Sequence, residues 1–132
     1  MRGPKPRPKP STTEQTPPAP PEELTDEAKA EWERITNILT RQRIWSEADQ
    51  AALIIYCTSY ADYRHASKMV RENGTVILSN SGTPVKNPYC SVQRDCWERI
   101  RPLLAEFGLS PSSRARLKLD DGGAGDSDDE FD

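Results

Sequence analysis

Apolar residues recur at helical spacing in three stretches of the chain. Ala28, Trp32, Ile35 and Leu39 fall three and four residues apart, with Ile38 widening the stripe. Thr25 stands before them as an N-cap, and Asp26 and Glu27 place negative charge at the positive end of the helix. The spacing predicts a first helix from there to about Gln42. Ile44 and Trp45 then fall in a short turn. Ser46-Glu47-Ala48-Asp49 has the form of a capping box, with Asp49 in place of the usual Glu, and opens a second helix. Ala52, Tyr56, Tyr63 and Val70 lie along one face of it, with Leu53, Ile55 and Tyr60 beside them. Asn73-Gly74 supplies the left-handed conformation that ends a helix.

Thr75-Val76-Ile77-Leu78 is β-branched in character, and Asn80-Ser81-Gly82 is a turn signal, so this excursion is either a small hairpin or a loop across the helices. Asn87-Pro88 fits an N-cap followed by proline at the first helical position. Tyr89, Val92, Cys96, Ile100 and Leu104 give a third stripe to about Phe107. Pro102 is expected to kink or shorten that helix, because it removes a backbone donor and clashes with the preceding turn. Gly108 ends it, and Ser110-Pro111-Ser112-Ser113 opens a last short turn carrying Arg114, Arg116 and Leu117. The expected fold is mainly all-α. It has two long antiparallel helices and a third helix, with the extended excursion between helices two and three.

Composition changes the picture at the ends. Hydrophobic residues make up 34% of the 132-residue chain, against roughly 45% in a globular domain, so part of the chain is not expected to pack. Residues 1–21 hold eight of the twelve prolines and four bases (Arg2, Lys5, Arg7, Lys9) against one acid, Glu14. They read as a disordered basic arm. Residues 119–132 hold seven acids and no base, and are expected to stay disordered through self-repulsion. The net charge of −3 conceals a basic body, since 34–118 carries 13 bases against 7 acids. The expected division is therefore a basic arm over 1–21, a helical core over 22–109, and a short basic turn with an acidic tail over 110–132.

Catalytic chemistry finds little support. His65 is the single histidine and sits among Asp62, Arg64 and Lys68 on the second helix, which reads as surface. Cys57, Cys90 and Cys96 lack the paired spacing of a zinc site, and two of them fall on apolar stripes, so they read as buried thiols. No Ser-His-Asp set, phosphate-cradling glycine loop or acidic metal cluster is legible. No catalytic residue, metal or cofactor is expected. The absence of an 18-residue apolar run excludes a membrane-spanning helix, and the first residues lack the apolar core of a secretory signal. Three cysteines without a framework point to a reducing, intracellular compartment.

Binding to a polyanion fares better. Arg2, Lys5, Arg7 and Lys9 are spaced by proline and suit phosphates rather than base edges. Arg64, Lys68 and Arg71 fall at i, i+4 and i+7, one ridge of the second helix. Arg94, Arg99 and Arg101 crowd the third, and Arg41 and Arg43 stand at the first turn. Trp32, Trp45, Trp97, Ile54 and Ile55 supply more apolar bulk than two helices need for each other. Either a compact monomer absorbs it, or a homo-oligomer buries it between protomers. In the second case Trp45, Ile55, Val76, Ile77 and Trp97 are the interface candidates.

The order of segments resembles the phage terminase small subunits of cohesive-end tailed phages. The residues that carry the likeness begin with Arg2-Gly3-Pro4-Lys5-Pro6 and the run from Pro21 to Trp32. Ser46-Glu47-Ala48-Asp49, Tyr56-Cys57, Tyr60-Ala61, Tyr63-Arg64, Gly74, Gly82 and Lys86-Asn87-Pro88 follow, and then the long phrase from Phe107 to Leu117. The resemblance implies a non-enzymatic recognition subunit of a packaging motor in the host cell cytoplasm. Such a subunit forms a ring, binds the packaging site on viral double-stranded DNA, and regulates the large ATPase and nuclease subunit. The acidic residues Asp128, Asp129 and Glu130 with Phe131 are then the candidate contact for the large subunit. A dimeric helical transcriptional regulator and a scaffold that does not bind DNA remain the alternatives.

Overall fold

A computed structural model describes residues 16–122. The chain runs through α1 (Asp26–Arg41), a 3₁₀ turn (Glu47–Asp49), α2 (Gln50–Asn73), β1 (Val76–Leu78), β2 (Pro84–Lys86), α3 (Tyr89–Glu106) and α4 (Pro111–Gly122). The mainly helical architecture is as expected. Glu27 and Glu31 of α1 meet Arg64 and Tyr56 of α2 respectively, so the two helices run antiparallel. Ser67 and Tyr63 of α2 meet Gln93 and Trp97 of α3 in the same reversed order. α2 is thus the central helix, with α1 on one side and α3 on the other.

Local chemistry explains the element ends. The Thr25 hydroxyl accepts a hydrogen bond from the Ala28 amide at 3.2 Å and starts α1. At its C-terminus the Arg43 amide donates to Thr40 and the Ile44 amide to Leu39, with Arg43 at φ +59°. This is the Schellman pattern, with an arginine where glycine is usual. Ser46 accepts from the Ala48 amide while Asp49 accepts from the Ser46 amide, so the capping box forms, around a 3₁₀ turn that leads into α2. Gly74 ends α2 at φ +88°, with ψ extended at 168° rather than in the left-handed helical well. Gly108, at φ +69°, closes α3 through a second Schellman pair, Gly108 to Ala105 and Leu109 to Leu104.

The excursion is a hairpin, with Val76 opposite Lys86, Ile77 opposite Val85 and Leu78 opposite Pro84. The Asn87 side chain secures its base, donating to the Gly74 carbonyl at 2.8 Å and accepting from the Tyr89 amide at 3.0 Å. α3 ends at Glu106, close to the expected Phe107, so Pro102 does not shorten it; Pro102 and Glu98 are both exposed, so the carbonyl that loses its donor lies on the water side. Two sequence expectations change. The last element is a helix of 12 residues and not a short turn, capped by Ser110 and Ser113, which bond reciprocally. Residues 16–21, expected to belong to the arm, are described up to α1, and the Pro18 carbonyl accepts the Trp32 indole N–H at 2.9 Å. Residues 1–15 of the arm and the acidic residues from 123 onward lie outside the described residues.

The core joins Leu24, Ala28, Trp32, Ile35 and Leu39 to Leu53, Tyr56, Cys57 and Ala61, closed by Cys96, Ile100 and Phe107. Trp32, expected to be surplus bulk, is fully buried. Trp45 packs edge-on against it, centroids 6.2 Å apart. Inside this core lies one charged group. Glu31 is 4% exposed; it accepts Arg34 Nε at 2.6 Å, Arg34 Nη2 at 2.8 Å and the Tyr56 hydroxyl at 2.6 Å. A buried carboxylate survives because three charge-assisted donors replace its water.

Candidate functional site

The α2 ridge is where sequence and structure meet most directly. Arg64, Lys68 and Arg71 are exposed, two turns apart from end to end, and line a groove of about 730 Å³ with Glu27, His65 and Gln93. The groove exists because α1 and α3 flank α2, and Gln93 Nε2 donates to Ser67 Oγ at 3.0 Å to fix the α3 wall. The three cations are not equivalent. Arg64 Nε lies 3.4 Å from Glu27 Oε1, tying α2 to α1, and its guanidinium lies over the Tyr60 ring. Lys68 reaches Glu72 only at 4.0 Å. Arg71 has no carboxylate within bridging distance among the described residues. Exposed pairs of this kind are worth little, so an arriving phosphate can exchange with Glu27 and Glu72 at small cost.

A second, smaller groove of about 350 Å³ adjoins the first, lined by Tyr63, Cys90, Gln93, Arg94 and Trp97. Tyr63 and Gln93 line both, so the cationic surface continues into an aromatic one. The Tyr63 and Trp97 rings lie 6.2 Å apart, and Trp97 is 43% exposed. His65 is exposed, its ring edge-on to Tyr89 at 5.6 Å.

The other interface candidates divide. Ile55, Val76 and Trp97 are open to solvent, Ile77 is half-buried, and Trp45 is largely committed to Trp32. Leu78 and Val85 are exposed on the same hairpin, at 69% and 40%; β-branched character marks Val76 and Ile77 ahead of the unbranched Leu78, and Val85 stands alone between Pro84 and Lys86. Arg2, Lys5, Arg7 and Lys9, and at the other end Asp128, Asp129, Glu130 and Phe131, lie outside the described residues.

The thiols suit packing. Cys57 and Cys96 are buried, and burial pushes the Cys57 thiol up to about 12, far from the thiolate a nucleophile or metal ligand needs. Among the described residues no three His, Cys, Asp or Glu side chains gather to hold a metal ion. No described helix is long and apolar enough to cross a membrane.

Three packed helices, a hairpin and a cationic groove define a small, mainly helical protein. The family model of the phage terminase small subunit matches residues 28–123, and the chain belongs to that family. No curated protein and no solved structure matches the chain. Membership gives it a role in phage DNA packaging, and the family is generally non-catalytic.

Proposed function

We propose that this chain is the recognition subunit of a packaging terminase: a ring-forming, non-catalytic adaptor that acts in the host cytoplasm. It binds the packaging site on viral double-stranded DNA and regulates the large ATPase and nuclease subunit. The observation that carries the reading is the family match over residues 28–123, which covers nearly all of the described helices and the whole hairpin. Two features favour the finer parts. Ile55, Val76 and Leu78 are left exposed on a folded protomer, and burying them between copies in a head-to-tail contact closes a ring. Arg64, Lys68 and Arg71 share one groove, and four further cations stand on the N-terminal arm. Multiplied around a ring, weak phosphate contacts become strong by avidity. Asp128, Asp129, Glu130 and Phe131 are the contact for the large subunit.

Native mass spectrometry at moderate salt tests assembly. A closed species of many copies is expected, and a monomer or dimer overturns the ring. Deleting residues 1–10 is expected to weaken DNA binding and flatten its salt dependence; unchanged affinity and slope reject the arm. Truncation after Lys118 is expected to lower stimulation of the large subunit's ATPase, and full stimulation rejects that contact.

A further inference from the structure

The two adjoining grooves make one composite surface, cationic along α2 and aromatic where Tyr63 meets Trp97. A nucleic-acid backbone accounts for the first half and leaves the second unexplained. The occupant that fits both halves is an acidic peptide with a single aromatic residue. This chain carries one beyond the described residues: Asp128-Asp129-Glu130-Phe131-Asp132, which follows Asp126 and contains no base. We infer that the acidic C-terminal segment docks on this composite groove in the free protein, with Phe131 against Tyr63 and Trp97 and its acids along Arg94, Lys68 and Arg71.

Three observations carry the inference. The first is charge. Arg71 and Arg94 have no carboxylate within 4 Å among the described residues, and the Arg64 and Lys68 pairs are exposed and long. The second is length. Tyr63 and Arg71 are eight residues apart on α2, about 12 Å along the axis; four extended residues, from Phe131 back to Ser127, span about 13 Å. The acids at 128, 129 and 130 therefore pass over the cationic ridge when Phe131 sits at the aromatic end. The third is connection: Gly122 ends α4, and residues 123–126 link that helix to the stretch that lies along the ridge. The small groove, near 350 Å³, has room for a phenylalanine side chain.

The inference rests on the DNA-binding reading for its consequence only: a docked tail and a DNA backbone compete for the same cations. Release of the tail by the large subunit then frees the ridge where packaging begins.

The test replaces Phe131 in the full-length chain with the photo-crosslinker p-benzoylphenylalanine, irradiates, and maps the adducts by mass spectrometry. Adducts to residues 63–71 of α2 or 90–97 of α3 are expected, and are expected to fade when Asp128→Asn, Asp129→Asn and Glu130→Gln are combined. Adducts confined to other residues, including the hairpin, or none at all, overturn the docking. DNA affinity of the same neutralised variant is the second measurement. It is expected to tighten about three- to tenfold, since a few exposed ion pairs held at high effective concentration are displaced; unchanged affinity overturns the competition. The crosslink does not depend on DNA, so a chain that fails to bind DNA refutes the functional reading and leaves the docking to be judged by its adducts.

Discussion

Replacing Tyr56 by Phe isolates the hydroxyl that helps hold a carboxylate inside the core. The tyrosine ring is 1% exposed, stacked on Tyr60 with centroids 5.9 Å apart and edge-on to Phe107 at 6.3 Å. Tyr56→Phe keeps those packing partners and removes one oxygen. The variant then lacks a hydrogen bond of 2.6 Å to a charged acceptor that is 4% exposed. Bonds to charged groups contribute about 1.5–3 kcal/mol. Glu31 Oε2 keeps Arg34 Nη2 at 2.8 Å, and the Arg34 side chain is 55% exposed, so solvent reaches the pair from that side. The destabilisation therefore belongs near the middle of the range, at about 2 kcal/mol. For a body of this size each kcal/mol moves the midpoint by about 4–8 °C, giving a fall of about 8–16 °C.

Urea and thermal unfolding, followed by far-UV circular dichroism at one fixed protein concentration, measure it; the concentration is held because assembly stabilises by mass action. Glu31→Gln supplies the control background. There Tyr56 bonds a neutral acceptor, so Tyr56→Phe is expected to cost only about 1 kcal/mol. A cost below about 0.5 kcal/mol in the native background, or the same cost in both, refutes the claim that the buried charge is what the hydroxyl serves.

Arg43→Gly is expected to stabilise the fold by about 0.5–1 kcal/mol, because Arg43 sits at φ +59° where a side chain is strained and glycine is not; an unchanged or lowered urea midpoint refutes it. Stability is expected to fall with rising pH above about 9. The Cys57 thiol, ordinarily near 9, is pushed up to about 12 by burial, so the unfolded chain releases its proton first. The contribution is fully present below pH 9 and is lost towards pH 12, at about 1.4 kcal/mol per pH unit. Tyr56, raised by burial and by Glu31, adds its own decline from about pH 10. Cys57→Ala is expected to make the decline between pH 9 and 10 shallower; an identical slope in urea titrations refutes the assignment.

α1 was legible in full because every signal on it agrees: a threonine cap, acids in the first turn, and one apolar stripe at helical spacing. α2 was harder for a physical reason. A helix packed between two others buries a wide face, and much of that face is made of Cys57, Ser59, Ala61 and Ala66, small residues that carry little apolar signal. Ile55 has a stronger one and is 53% exposed. The hairpin stayed undecided because three-residue strands are too short to alternate. The start of α4 was visible in Ser110-Pro111, but its length was not, since Asp120, Asp121 and Gly122 read as part of the tail. Glu31 has its local partner Arg34 three residues on. Tyr56, 25 residues away, becomes its neighbour only once the helices pair.

The same limit governs the candidate site, and it decides which cation to test. Spacing alone gives Arg64, Lys68 and Arg71 as one row of equivalent charges. Packing separates them, because α1 brings Glu27 to Arg64 and α3 supplies the opposite wall through Gln93. Arg64→Ala therefore removes a tie between two helices along with any phosphate partner, so weaker DNA binding in it has two causes. Arg71 lies in the last turn of α2 and has no carboxylate partner among the described residues. Arg71→Ala is expected to leave the unfolding free energy within about 0.5 kcal/mol of the native value. Its plot of log affinity against log salt is expected to be shallower by about 0.9 for each phosphate that Arg71 neutralises in the native chain. A shallower slope at unchanged stability marks a phosphate-binding arginine; an unchanged slope removes Arg71 from the DNA surface, whatever Arg64→Ala does.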